Sequence, residues 1–104
     1  MVVRWTDLAE KRLRSVFDYY FDVAGYNVAA KIVENIINAS DSLGIMPFMA
    51  PVDTNLLGRK FVYHSLVVGK IFKVVYFVDE KAECVMIATI WDCRRNPLRL
   101  SDEI

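Results

Sequence analysis

Residues 66–97 read LVVGKIFKVVYFVDEKAECVMIATIWDCRRNP, and this stretch decides the fold. Two strongly apolar strands are expected, over residues 71–78 and 84–91, separated by the polar turn Asp79-Glu80-Lys81 and ending on Asp92-Cys93-Arg94-Arg95-Asn96-Pro97. An antiparallel sheet with one solvated face alternates apolar and polar residues, but here both faces carry large apolar groups. On the first of these strands Phe72, Val74, Tyr76 and Val78 share one face, and Ile71, Lys73, Val75 and Phe77 the other. The lysine marks the second face as the one turned away from any covering helices. A small domain with a single helical layer covers only one face, so the other is expected to be adhesive and to be covered by a partner.

Working outward, residues 60–67 read as another strand, with Val68-Gly69 as a tight reversal, which makes three consecutive antiparallel strands. Upstream, Val2, Val3 and Trp5 form a short first strand. Thr6 is suited to cap a helix, with Asp7 and Glu10 against the positive end of its dipole. Ala9, Leu13, Val16, Phe17, Tyr20 and Ala24 recur at helical spacing and predict a helix from about residue 6 to 23. Val28, Ala29, Ile32, Val33, Ile36, Ile37 and Leu43 predict a second helix over about 26–42, with Gly44 as its stop. Only Ala24 and Gly25 separate the two, which implies an antiparallel helical hairpin. Residues 45–58, with Pro47, Pro51, Asp53, Asn55 and Gly58, read as a long connection. The order is β-α-α-β-β-β, an α+β fold with the hairpin on one face of a small antiparallel sheet.

At 104 residues the chain is expected to be one domain, 1–104, and 55% hydrophobic content is high for that size. No apolar run approaches the roughly 20 residues that span a bilayer, and no leader pattern opens the chain, so a cytoplasmic protein with no membrane partner is expected. Cys84 and Cys93 stand nine positions apart in what reads as one strand. At that spacing they are roughly 30 Å apart and cannot pair, which suits a reducing compartment. One histidine and two separated cysteines make a structural zinc site untenable. No metal or cofactor is expected. Asn38-Ala39-Ser40 matches a glycosylation sequon by chance, on a helix of a cytosolic protein. Formal charge is zero, yet residues 58–99 carry eight basic groups (Arg59, Lys60, Lys70, Lys73, Lys81, Arg94, Arg95, Arg99) against four acidic ones. The strand half is cationic and favours an anionic partner, an acidic peptide or an RNA backbone.

The element order, together with several local signposts, resembles the RelE/ParE superfamily of toxins from bacterial type II toxin–antitoxin systems, also called plasmid stabilization proteins. The signposts are Trp5 with Ala9 and Tyr19-Tyr20, Ser42-Leu43-Gly44 with Met46-Pro47, Gly58-Arg59, Lys73-Val74-Val75-Tyr76, Val78-Asp79-Glu80, and Ile90 through Arg94-Arg95-Asn96-Pro97. The resemblance implies growth inhibition and a cognate antitoxin whose C-terminal segment wraps the toxin, with a homodimer or a heterotetramer with the antitoxin as assemblies. It leaves two targets. One branch cleaves messenger RNA on the ribosome, while the ParE-like branch binds DNA gyrase and is not a nuclease.

Metal-independent endoribonuclease chemistry needs a base, an acid and cations around the phosphate. Arg59, Lys73 and Arg94 would supply the cations. His64 and Asp92 are the weak base candidates, His64 as the chain's one imidazole, the side-chain type whose unperturbed pKa lies near neutrality, and Asp92 with a competing role as a salt-bridge partner of Arg94 and Arg95. Nuclease members resembling this chain place a histidine or tyrosine near the end of the fold, where this sequence has Asn96-Pro97, neither of which exchanges a proton. The reading therefore favours a ParE-like, non-enzymatic toxin that binds gyrase. Ile71, Lys73, Val75, Phe77, Arg94, Arg95 and Arg99 are its expected antitoxin- or target-binding residues. A ribosome-dependent nuclease acting on mRNA and a degenerate, non-toxic protein-binding module are the alternatives.

Overall fold

In a computed structural model all 104 residues, 1–104, are described. Strand β1 (Val2–Trp5) leads into helix α1 (Asp7–Ala24) and helix α2 (Tyr26–Ser42). Strands β2 (Tyr63–Val68), β3 (Phe72–Asp79) and β4 (Cys84–Asp92) follow, and a single helical turn α3 (Leu100–Glu103) lies beyond them. The expected α+β order holds. The sheet order is β1-β4-β3-β2, and β1 runs parallel to β4, with Val3 beside Val85 and Trp5 beside Ile87, so the sheet is mixed. The two helices and the segment after them carry the chain from β1 at one edge of the sheet to β2 at the other.

Thr6 caps α1 as its residue type predicts: its Oγ1 accepts from the Ala9 N–H at 3.1 Å and donates to the Ala88 carbonyl at 2.9 Å. One hydroxyl thus ties the helix start to β4. Gly25 alone separates α1 from α2 and takes a positive φ of 87°. Gly44 serves a different purpose from the expected stop. The helix ends in ordinary α conformation at Leu43, and a Cβ on Gly44 would meet the Met1 carbonyl oxygen at 2.7 Å. Its hydrogen side chain lets β1 pass directly over the end of α2.

The hairpin face of the sheet is a continuous apolar layer in which Ala9, Ile36 and Leu43 pack on Phe72, Val74, Tyr76, Val85, Ile87 and Ile90. Strict alternation cannot bring Ile87 and Ile90 to one face. A bulge opposite Val75 and Tyr76 does so, because Thr89 pairs with Val75 while Ile87 pairs with Tyr76, leaving Ala88 as the extra residue.

The other face departs from expectation. It is not open. Leu56, Val75, Trp91 and Leu100 form a second buried cluster with Tyr63 and Ile104 against it, so the chain covers this face with its own 53–57 and 97–104 segments. The connection that sequence shows only as aperiodic carries a 3-10 turn, Thr54–Leu56, started by Asp53, whose carboxylate accepts from the Asn55 N–H at 2.9 Å. It also pairs along the edge of β2, with the Asp53 N–H on the Tyr63 carbonyl and the Ser65 N–H on the Pro51 carbonyl. That blunts an edge strand that would otherwise present unpaired backbone groups.

Candidate functional site

Lys73 reaches from β3 onto the self-covered face, and its Nζ lies 2.7 Å from Asp53 Oδ2. Their side chains are 13% and 3% exposed, so this is an interior ion pair rather than a free cation. Ser65 Oγ donates to the same carboxylate at 2.6 Å. Burial pushes the Asp53 carboxyl up, but the hydrogen bonds from Lys73, Ser65 and Asn55 outweigh it and hold the pKa below the usual carboxylate value.

The expected partner-binding face is therefore corrected residue by residue. Val75 is fully buried beneath Leu56 and Leu100. Phe77 is half-buried, stacked on Phe61 at 4.0 Å between centroids and edge-on to Tyr63. Ile71 does not share a face with Lys73. It belongs to the turn before β3, where Gly69 and Lys70 both take positive φ, and it packs against the hairpin-side core. The tight turn ends the alternation one residue later than the apolar pattern suggests. None of these four presents the open, adhesive surface that the sequence led us to expect.

The nuclease candidates do not converge. Arg59 donates through Nη2 to the Ser101 carbonyl at 2.7 Å and through Nη1 to the Ile104 carbonyl, capping the carbonyl end of α3. His64 is buried on the hairpin side of β2, its Nδ1 2.8 Å from the Ala50 carbonyl and its ring between Phe48 and Tyr76. It pairs with Tyr76, three residues along β3 from Lys73, which is roughly 10 Å, and it points to the opposite face. The Tyr76 phenol is itself fully buried, and that burial raises its pKa. Asp92 holds Arg94 in a bidentate grip, with Nε to Oδ1 at 3.0 Å and Nη2 to Oδ2 at 2.7 Å. That hydrogen bonding lowers the Asp92 pKa and raises that of Arg94.

At the end of β4 the structure does bring cations together, in a group only partly visible from sequence. Arg12 of α1, Arg94 and Arg95 line a cleft of about 330 Å³ with Ser15, Tyr19, Tyr20 and Asp92. Arg95 lies over Trp91, its guanidinium carbon 4.2 Å from the ring centroid. Beside the cleft Glu103 is almost wholly buried, and its Oε1 accepts from Arg12 Nε at 2.5 Å and from Thr89 Oγ1 at 3.0 Å, while Oε2 faces Arg95 at 3.8 Å. Arg99 is exposed on the same terminal segment. Arg12 and Glu103 carry no sequence signal for this role: one sits among ordinary polar helix positions, the other 91 residues away in a polar tail. Across α1, a second and mostly apolar groove of about 490 Å³ runs between the two helices, lined by Trp5, Leu13, Phe17, Val33 and Ile37 with Glu10 and Arg14 at its rim. No group of histidine, cysteine and carboxylate side chains is placed to hold a metal ion. No helix is long and apolar enough to cross a membrane.

No curated protein matches the sequence. Among solved structures, a chain described as "Chromosomal ParDE TA system from P. aeruginosa" superposes with a TM-score of 0.74 at 21% identity, over 88% of this chain and 95% of that one. At that identity the likeness concerns the fold. A family model described as the ParE toxin of the type II toxin–antitoxin system parDE matches residues 3–97, from the first strand through the Arg94-Arg95 pair. With its strands, hairpin and meander in that family's order over nearly its whole length, the chain belongs to the ParE toxin family of type II toxin–antitoxin systems.

Proposed function

We propose that this toxin arrests growth in the bacterial cytoplasm by binding a protein target, DNA gyrase, without cutting RNA, and that a cognate antitoxin neutralises it by occupying its surface. One observation carries the choice against a nuclease: the residues that the sequence offered for RNA cleavage are each engaged within the fold, and they do not gather around one point. Lys73 is held by Asp53, Arg59 by the carbonyls of α3, Arg94 by Asp92, and His64 by Ala50 on the other side of the sheet. General acid–base catalysis requires its participants within hydrogen-bond reach of one phosphate.

Neutralisation then falls to the surfaces that remain open. Phe21, Val23, Tyr26 and Val28 are exposed on the helical hairpin beside the apolar groove, and Arg94, Arg95 and Arg99 are exposed past β4. Apolar antitoxin side chains cover the former and its acidic groups pair with the latter.

Expression in growing cells separates the targets. Arrest with intact transcripts and loss of plasmid supercoiling is expected, together with inhibition of purified gyrase by the purified chain. Transcripts cut within the ribosomal A site would overturn the proposal in favour of a nuclease, and uninhibited growth would leave a binding module.

A further inference from the structure

The site that nothing yet explains is the buried carboxylate at the end of β4. Glu103 accepts hydrogen bonds from Arg12 and Thr89 and faces Arg95 at 3.8 Å, and Arg12 and Arg95 also line the neighbouring 330 Å³ cleft that holds Arg94, Tyr19 and Tyr20. Two features set this arrangement apart from an ion pair between sequence neighbours. Its donors come from α1, from the middle of β4 and from the segment after β4, so it is built by the tertiary fold and not by neighbours in sequence. Its ligand comes from residues 98–104, which lie beyond the family match, whereas Arg12, Thr89 and Arg95 lie within it.

We infer that the niche between Arg12, Thr89 and Arg95, next to the cleft, is a carboxylate-binding slot, filled in the isolated chain by its own Glu103, which an acidic side chain of the antitoxin lying in the cleft enters by displacing Glu103 to solvent. The inference rests on the reading that a partner protein neutralises this chain. The exchange is conservative: one carboxylate replaces another, the guanidinium groups keep a bidentate-capable partner, and neither Arg12 nor Arg95 loses its counter-charge. Leu100, fully buried beside Trp91, holds the segment while the Glu103 side chain swings out. The lining also favours a carboxylate over a phosphate. Asp92 stays in the wall, paired to Arg94, and its fixed negative charge opposes a doubly charged group more than a singly charged one. Arg95 stacks on Trp91, so occupancy of the slot is reported by that indole, and Trp5, on the other side of the sheet, is an internal reference.

The test titrates the full chain with an acetylated hexaglutamate peptide and, separately, with hexauridylate, following the two indole N–H resonances. Hexaglutamate is expected to shift Trp91 and leave Trp5 in place, Glu103→Gln to tighten that binding at least fivefold, and Arg12→Gln with Arg95→Gln to weaken it at least tenfold. Should the double variant not fold, Arg95→Lys keeps the charge, loses the planar stack, and is expected to weaken binding at least threefold. Equal affinities for wild type and Glu103→Gln, or an unmoved Trp91, would overturn the inference. So would tighter binding of hexauridylate than of hexaglutamate, which would make the cleft a nucleic-acid site. Growth arrest is scored independently, so a failed titration with arrest intact removes the slot and leaves the toxin reading standing.

Discussion

Replacing Lys73 with methionine tests whether the far face of the sheet is interior. The substitution keeps most of the aliphatic stem and removes only the charge that faces Asp53 at 2.7 Å. Asp53 would then remain 3% exposed with the Ser65 hydroxyl and the Asn55 amides as donors but no counter-charge. Breaking one side of a buried pair costs about 3–5 kcal/mol, and the surviving donors place this one near the lower end, about 3 kcal/mol. For a domain of this size that corresponds to a fall in Tm of roughly 12–24 °C. A double-mutant cycle with Asp53→Asn should return a coupling of about 2 kcal/mol or more in urea unfolding. The pH dependence has a definite sign. The Asp53 pKa is lowered in the folded chain, so the pair's contribution is fully present above the unfolded carboxyl value, about 3.9, and is lost as pH falls through the folded value. Without Lys73 the burial that raises the Asp53 pKa has less to oppose it, so the gap between wild type and variant should narrow on acidification. A penalty below about 0.5 kcal/mol, the range of exposed pairs, or a gap that widens in acid would refute the buried arrangement.

Other substitutions probe the remaining joints. Leu100→Ala, at a fully buried position, should cost about 2–4 kcal/mol in thermal or denaturant unfolding, because it empties the contact between the 97–104 segment and Trp91. Gly44→Ala should cost about 1–3 kcal/mol and speed amide exchange across Val3–Trp5, since its methyl collides with the Met1 carbonyl. Thr6→Ala removes both a cap and a tie to β4 and should cost about 1–2 kcal/mol by the same unfolding measurement. His64→Phe keeps an aromatic ring between Phe48 and Tyr76 while removing the only imidazole, so growth arrest is expected to persist; its loss in a variant with an unchanged melting curve would return His64 to the list of catalytic candidates.

The elements themselves were legible because their signals are local. Thr6 announces a cap, period-3.6 apolar positions outline both helices, and Asp79-Glu80-Lys81 marks a turn between apolar strands. What was not legible depends on tertiary coverage. The double-sided apolar character of β3 and β4 was read correctly as a face that must be buried, but the burying group was sought outside the chain. It lay in the 45–58 connection and in the tail, two segments whose Pro, Asn and Asp content conceals that Leu56 and Leu100 each fold inward. Lys73 misled for a related reason. A lysine in a strand marks a solvent face only when no carboxylate is delivered to it, and Asp53 comes from a loop whose path no periodicity predicts. The bulge at Ala88 is likewise silent in sequence, although without it Ile87 and Ile90 could not both face the hairpin.

Self-coverage of the sheet also constrains the shape of a neutralising partner. With Lys73 and Arg59 engaged beneath the segments that cover the far face, two concavities flank α1: the cationic cleft on the side of Arg12, Ser15 and Tyr19, and the apolar groove on the side of Leu13 and Phe17. An α-helix with side chains is about 10–12 Å across. An extended peptide advances about 3.3 Å per residue, so roughly three to four residues suffice to carry a chain over α1 from one concavity to the other. An antitoxin segment that uses both should therefore place an acidic residue about that many positions from a large apolar one, with small or polar residues between them to cross the exposed helix surface. Charge reversal at the acidic position should be compensated by Arg12→Glu or Arg95→Glu and not by changes at Lys73. Rescue of binding by Lys73→Glu would instead require the buried pair to open, which the enclosure of Asp53 opposes.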